Sequence, residues 1–269
     1  MREQDRTAAA ARTSYLTAGP AGDGRPSLFC FHHAGGSASV FNALRTALRP
    51  AVDVLPVQLP GRENRLREPG PGSMAELVAV LDRQLDPHLD APHFFYGHSM
   101  GALVAHDLTV RRQARGARIP ERLVAGAARA PQLPPAFAAA YADPDEELIR
   151  KIVDCGGMSP ELLAYPDWYR PALDLTRADL RLCASRSTAP PPPLECPVDV
   201  FHGAADPLVS EPDARAWVGS GAAGGALHRF AGGHFFFLRE SAAPFAERLG
   251  ALVRAAAQPA GRTGTRPSR

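Results

Sequence analysis

Gly97-His98-Ser99-Met100-Gly101 is the segment that most constrains what this chain can fold into. The apolar run His93-Phe94-Phe95-Tyr96 leads into it, and Ala102-Leu103-Val104-Ala105 leads away with helical character. A serine between a strand and a helix, with a glycine two residues to either side, marks a turn too sharp for flanking side chains. The hydroxyl is then held clear of the sheet, and the first N–H groups of the helix point at whatever the oxygen attacks. The expectation is a nucleophile, Ser99, on a strand–turn–helix mount.

The rest of the chain repeats that alternation. Strands are expected at 27–31, 52–57, 93–96, 122–127, 198–201 and 226–230, with helices at 39–48, 74–85, 100–112, 212–218 and 242–256. Ser73-Met74-Ala75-Glu76 is a capping box that opens the second helix. Alternating strand and helix implies an α/β fold with a mostly parallel sheet covered by helices on both faces. The pattern breaks from about 131 to 193. There Asp143-Pro144-Asp145-Glu146 reads as an N-cap, a first-turn proline and an acidic first turn. Ser159-Pro160-Glu161 opens a short helix, Asp174 to Ser185 suggests a third, and Pro190-Pro191-Pro192-Pro193 returns the chain stiffly to the sheet. This is a helical insertion between two strands, where the α/β-hydrolase fold carries a lid. The domain therefore runs from 26 to 257, between a polar segment over 1–25 and a tail over 258–269, both expected to lack order.

Composition narrows the partners. A chain of 269 residues with 45% hydrophobic and 22% charged residues can bury one large core. A net charge of +2 argues against a dedicated nucleic-acid binder and leaves an acidic protein partner open. Cys30, Cys155, Cys183 and Cys196 are scattered without a C-x-x-C pair, as expected of reduced thiols in the cytoplasm. No apolar run reaches the length of a membrane span, so no membrane association is expected. A monomer without a bound metal or cofactor is the simplest expectation.

A serine nucleophile needs a base, and the base needs an orienting carboxylate. In this fold the chain order is serine, acid, histidine, each on a loop after a strand. Asp206, in the loop Gly203-Ala204-Ala205-Asp206-Pro207, is the best acid; Asp199 and Asp213 are weaker. His234, in Gly232-Gly233-His234-Phe235-Phe236 after the last strand, is the best base, with His202 as runner-up. His98 adjoins the serine, but its side chain must project away from the hydroxyl. For the oxyanion, one donor is the Met100 backbone N–H. The loop His32-His33-Ala34-Gly35-Gly36 after the first strand supplies the other, assigned to the Ala34 N–H. Its paired histidines lack a helically spaced partner that would make a metal site.

Three ordered segments resemble the type II thioesterases of polyketide and nonribosomal peptide assembly lines. They are Phe31-His32-His33-Ala34-Gly35-Gly36-Ser37-Ala38, Gln58-Leu59-Pro60-Gly61-Arg62-Glu63 and Gly97-His98-Ser99-Met100-Gly101-Ala102. Gly156-Gly157-Met158, Arg177-Ala178-Asp179-Leu180 and Gly232-Gly233-His234-Phe235-Phe236 extend the likeness over roughly 27–250. The family usually has proline where His32 stands, and continues differently after Asp179. The resemblance implies a free-standing hydrolase that frees stalled or aberrant acyl groups from the phosphopantetheine thiol of an acyl or peptidyl carrier protein. The phosphopantetheine belongs to the carrier. A serine esterase or chain-releasing cyclase on the same fold is the alternative reading, and a catalytically silent binding protein the third.

Overall fold

The computed structural model describes residues 15–257 apart from 136 and 188. Strands β1 (Ser27–Phe31), β2 (Asp53–Val57), β3 (His93–His98), β4 (Arg122–Gly126), β5 (Val198–Gly203) and β6 (Leu227–Phe230) form one sheet in the order β2-β1-β3-β4-β5-β6. Every pairing between neighbours is parallel. Such a sheet needs both faces covered, because crossovers between parallel strands must climb over it.

Strand side chains alternate between faces, and two cores result. Phe29, Phe31, Leu55, Phe95 and Val200 face one way and pack with Leu77, Leu81 and Leu85 of α2 (Met74–Leu89) and Leu108 of α3 (Met100–Ala114). Leu28, Cys30, Val54, Tyr96 and Phe201 face the other way and meet α1 (Asn42–Leu48) and the final helix (Ala242–Ala257) through Leu44, Phe245, Leu249 and Val253. Each fully buried Leu or Phe contributes roughly 1.5–3 kcal/mol of apolar burial. The capping box forms with a variation. The Glu76 N–H donates to Ser73 Oγ at 3.2 Å, while the Glu76 carboxylate reaches back to the Gly72 N–H at 2.8 Å rather than to that of Ser73.

Between β4 and β5 lies the helical insertion, with its own small core of Leu148, Ile149, Ile152, Leu173 and Leu180. Helix α4 (Asp145–Asp154) starts after Pro144, so Asp143 is not its cap; the Asp143 carboxylate instead accepts from Lys151 Nζ at 2.6 Å. Helix α5 (Pro166–Ala184) begins eight residues before the expected start. Pro166 occupies its first turn, and Pro171, still near the N-terminus, is tolerated within it. After β5 come α6 (Glu211–Arg215) and a 3-10 turn over Ala216–Ser220, and then β6 and α7, the final helix.

One difference from expectation concerns the N-terminal edge. The stretch 15–25, expected to lack order, is tied to β2: Leu16 bridges Val57, the Tyr15 carbonyl accepts from the Gln58 N–H at 2.8 Å, and the Arg65 guanidinium lies 3.9 Å above the Tyr15 ring. Residues 1–14 and 258–269 lie outside the described residues. Among the described residues no helix is long and apolar enough to cross a membrane. The four cysteines are all buried and free.

Candidate active site

Chain order reverses direction across the sheet between β1 and β3, and ligand sites of open α/β sheets form at the carboxyl ends of strands beside such a reversal. The loop over 32–36 leaves β1 there, and Ser99 leaves β3. Ser99 has φ 54° and ψ −115°, a conformation costly for a residue with a Cβ. Its N–H donates to the Gly126 carbonyl at 2.8 Å, anchoring the turn to β4. The two glycines have direct reasons. A Cβ on Gly97 would lie 2.2 Å from the Gly101 carbonyl oxygen, and one on Gly101 would lie 2.0 Å from that of Phe31. Helix α3 therefore starts pressed against β1, with Met100 at its first turn.

Asp206 and His234 come together from two loops 28 residues apart. His234 Nδ1 lies 2.9 Å from Asp206 Oδ2, with both side chains almost wholly buried. A carboxylate can only accept, so Nδ1 carries the proton and Nε2 keeps its lone pair. The other carboxylate oxygen, Oδ1, accepts from the N–H groups of Leu208 at 2.8 Å and Val209 at 3.2 Å, which fixes the acid's orientation. The loop that carries His234 is held close by glycine: a Cβ on Gly203 would meet the Gly233 carbonyl oxygen at 2.2 Å.

The weaker candidates stand elsewhere. Asp199 is engaged by Arg122 and by His228 Nε2. Asp213 pairs with Arg129 at 3.1 Å. His202 is buried, and burial pushes its pKa below the ordinary histidine value. None of the three lines the cavity described below.

His98 does project away from Ser99, and its destination is a finding that sequence reasoning missed. Its Nε2 lies 2.9 Å from the His234 carbonyl oxygen, and its Nδ1 lies 2.8 Å from the Tyr96 hydroxyl. The carbonyl demands a donor, so Nε2 is protonated and Nδ1 accepts from Tyr96. Burial, followed by the neighbouring His234 and His33, holds the His98 pKa well below its ordinary value, so the ring stays neutral. The residue before Ser99 thus grips the backbone of His234.

The histidines after β1 act on their own loop. His32 Nδ1 donates to the His33 carbonyl and His33 Nδ1 to the Ala34 carbonyl, each at 2.9 Å. Burial pushes the pKa of His33 down to about 4, so it too is neutral near pH 7. The Ala34 N–H has no partner among the described residues.

Ser99, Met100, Ala34 and His234 all border one cavity enclosing about 120 Å³. Its remaining wall is largely apolar and includes Leu103, Phe137, Ile152, Met158 and Leu180. Ile152 and Leu180 come from α4 and α5, so the insertion roofs the reactive end of the sheet.

The parallel sheet, its two helical layers and the serine turn after β3 define an α/β-hydrolase fold. The thioesterase-domain family profile matches residues 26–252, and the chain belongs to that family. It is 32% identical over 219 residues to the thioesterase PikA5 of Streptomyces venezuelae, covering 81% of this chain and 77% of that one. It is also similar to the solved structure of the thioesterase RedJ from the prodiginine biosynthetic pathway in Streptomyces coelicolor, with 34% identity, TM-score 0.78, and 84% of this chain and 85% of that one covered. The type II thioesterase BorB, from the borrelidin cluster, matches with 32% identity and TM-score 0.77 over 89% of this chain and 95% of its own. The kinship read from the loop after β1, the segment after β2 and the serine turn is thereby borne out.

Proposed function

We propose that Ser99 is the nucleophile, His234 its base and Asp206 the acid that orients the base, with the Met100 and Ala34 N–H groups as the oxyanion hole. The chain is a type II thioesterase, and on this reading it cleaves acyl thioesters carried on the phosphopantetheine arm of an acyl or peptidyl carrier protein. Residues 26–257 act as one catalytic domain, with the insertion over 131–193 as its lid. The observation that carries the reading is the 2.9 Å Asp206–His234 contact beside a conformationally strained serine on one apolar cavity.

The chemistry follows from the protonation states. His234 Nε2, left basic because Nδ1 is committed to Asp206, takes the Ser99 proton as Oγ attacks the thioester carbonyl. The carbonyl oxygen gains negative charge and is met by the two amides, whose dipoles are already in place. Collapse breaks the C–S bond, and the pantetheine thiolate takes the proton from His234. A thiol is a better leaving group than an amine, so this step demands little of the acid. Water, deprotonated by His234, then attacks the acyl–Ser99 ester; the acyl C–Oγ bond breaks, His234 returns its proton to Ser99 Oγ, and the acid leaves. The apolar wall suits the acyl chain, and no group beyond the carrier's own arm is needed.

A panel of differently acylated carrier proteins, with the matching acyl-CoA and a free oxoester as controls, tests this. Carrier-bound thioesters should be turned over fastest, and Ser99→Ala should lower kcat by on the order of 10⁴-fold or more. Full turnover by Ser99→Ala would overturn the mechanism, and a strong preference for the oxoester would turn the assignment to an esterase.

A further inference from the structure

The lid carries a carboxylate that reaches past the cavity to the loop after β1. Asp179, on α5, is 1% exposed. Its Oδ2 accepts from the Gly35 N–H at 2.8 Å. Arg62, from the segment after β2, grips the same carboxylate as a fork, Nη1 to Oδ2 at 2.8 Å and Nη2 to Oδ1 at 2.9 Å. Its Nη1 also donates to the Gly36 carbonyl at 2.9 Å and its Nε to the Pro60 carbonyl at 3.2 Å. One turn before Asp179, Thr176 lies against Gly35, where an added Cβ would come within 2.2 Å of its Oγ1; Gly35 itself has φ +72°.

These contacts determine where the Ala34 N–H points. In a trans peptide the carbonyl and the following N–H are antiparallel, so holding one aims the other. The plane joining His33 to Ala34 is held at its carbonyl by the Gly36 N–H at 3.0 Å and by His32 Nδ1 at 2.9 Å. The plane joining Ala34 to Gly35 is held at its carbonyl by His33 Nδ1 and at its N–H by Asp179. Among the described residues every polar end of the two planes is engaged except the Ala34 N–H, and Ala34 borders the cavity. The only partner among these that comes from the lid is Asp179, and it is a buried charge neutralised by a bidentate arginine.

We propose that Asp179 and Arg62 are positioning residues for the oxyanion hole, a latch through which the docked lid helix sets the direction of the Ala34 amide. The inference rests on the assignment of Ser99 and Ala34 above. It implies that the C-terminal half of α5 stays fixed during turnover and that undocking it disarms the hole.

The test compares Asp179→Asn, Arg62→Lys and their double variant, with Ser99→Ala as reference. Readouts are kcat and KM on an acylated carrier protein, and the affinity for an alkyl trifluoromethyl ketone, which adds Ser99 Oγ to form a tetrahedral oxyanion. Losing one oxyanion donor outright costs 10²–10³-fold in kcat, so misaiming it should cost about 10- to 100-fold. Each single variant should show that loss with KM within about threefold of the parent and with ketone affinity weakened in parallel; the double variant should be no worse than either single one. Folded variants with kcat within twofold of the parent would overturn the latch, as would a loss of kcat with ketone affinity unchanged. If Asp179→Asn does not fold, Arg62→Lys, which keeps the charge but not the fork, decides alone. Failure of both to fold would make the pair structural and overturn the assignment. Turnover by Ser99→Ala would overturn the reading of the nucleophile itself, a result separate from either of these.

Discussion

Gly101→Ala adds one methyl group at the point where α3 starts against β1, and the structure gives the size of its effect. The new Cβ would lie 2.0 Å from the Phe31 carbonyl oxygen, 2.5 Å from its carbon and 2.8 Å from the His32 carbonyl oxygen. All three are backbone atoms, so no rotamer change relieves the clash. Restoring ordinary contact requires α3 to retreat by about 1.4 Å. Overpacking of this kind costs roughly 1–3 kcal/mol, which lowers the Tm of a domain this size by about 2–12 °C. The same retreat carries Ser99 and the Met100 amide with it, away from an Ala34 amide anchored on β1. A displacement near 1 Å in a reacting constellation costs on the order of 100-fold, so kcat should fall by about that factor. The assay is kcat on an acylated carrier protein beside a thermal melt. Gly219→Ala, where a Cβ meets nothing within 4 Å, serves as control and should change neither. A variant with the parent's Tm and kcat would refute the close-packing argument. A lowered Tm with undiminished kcat would refute the idea that this contact sets the position of Ser99.

Asp206→Asn should lower kcat by on the order of 10⁴-fold with KM little changed, because the imidazole loses the partner that fixes its tautomer; steady-state kinetics on the same substrate checks it. His98→Phe keeps a buried ring but leaves the Tyr96 hydroxyl and the His234 carbonyl unpaired. It should cost about 1–3 kcal/mol in urea unfolding and lower kcat at least about tenfold, whereas a variant with parental stability and turnover would show that the grip on His234 is idle. Burial, reinforced by the negative charge of Asp179, pushes the Cys183 thiol up to about 12, and the other three cysteines are buried as well. The native protein at pH 8 should therefore react with Ellman's reagent at well under one thiol per chain within minutes, and release all four only on denaturation.

The sheet was legible because its signals are local. Runs such as Leu28-Phe29-Cys30-Phe31 announce a strand buried on both faces without help from the rest of the chain. The serine turn was legible for the same reason, and chain order then singled out Asp206 and His234 from several carboxylates and nine histidines. What escaped depends on partners distant in sequence. Asp179 and Arg62 are 117 residues apart, and His98 and His234 are 136 apart, so neither contact leaves a pattern in either neighbourhood. The start of α5 lies upstream of the expected Asp174, with Pro166 in its first turn, where proline is an acceptable opening residue, and Pro171 still near the N-terminus. The order in 15–25 escaped because a polar, glycine-rich composition hides one bridge to β2, Leu16 to Val57, and one cation–π contact, Arg65 over Tyr15.

Helix α5 has two ends with different obligations. Near its start Trp168 is 72% exposed and stacks on Tyr165, whereas Leu173, Thr176, Leu180 and Cys183 are buried, three of them on the cavity. Anyone exchanging this insertion for that of a relative, to change the acyl group accepted, would be cutting through both. A graft that replaced the whole of α5 would also replace the residues that press on Gly35. The safer junction lies upstream of Leu173, leaving Thr176 and Asp179 with the loop they face and treating the preceding helices as the exchangeable part.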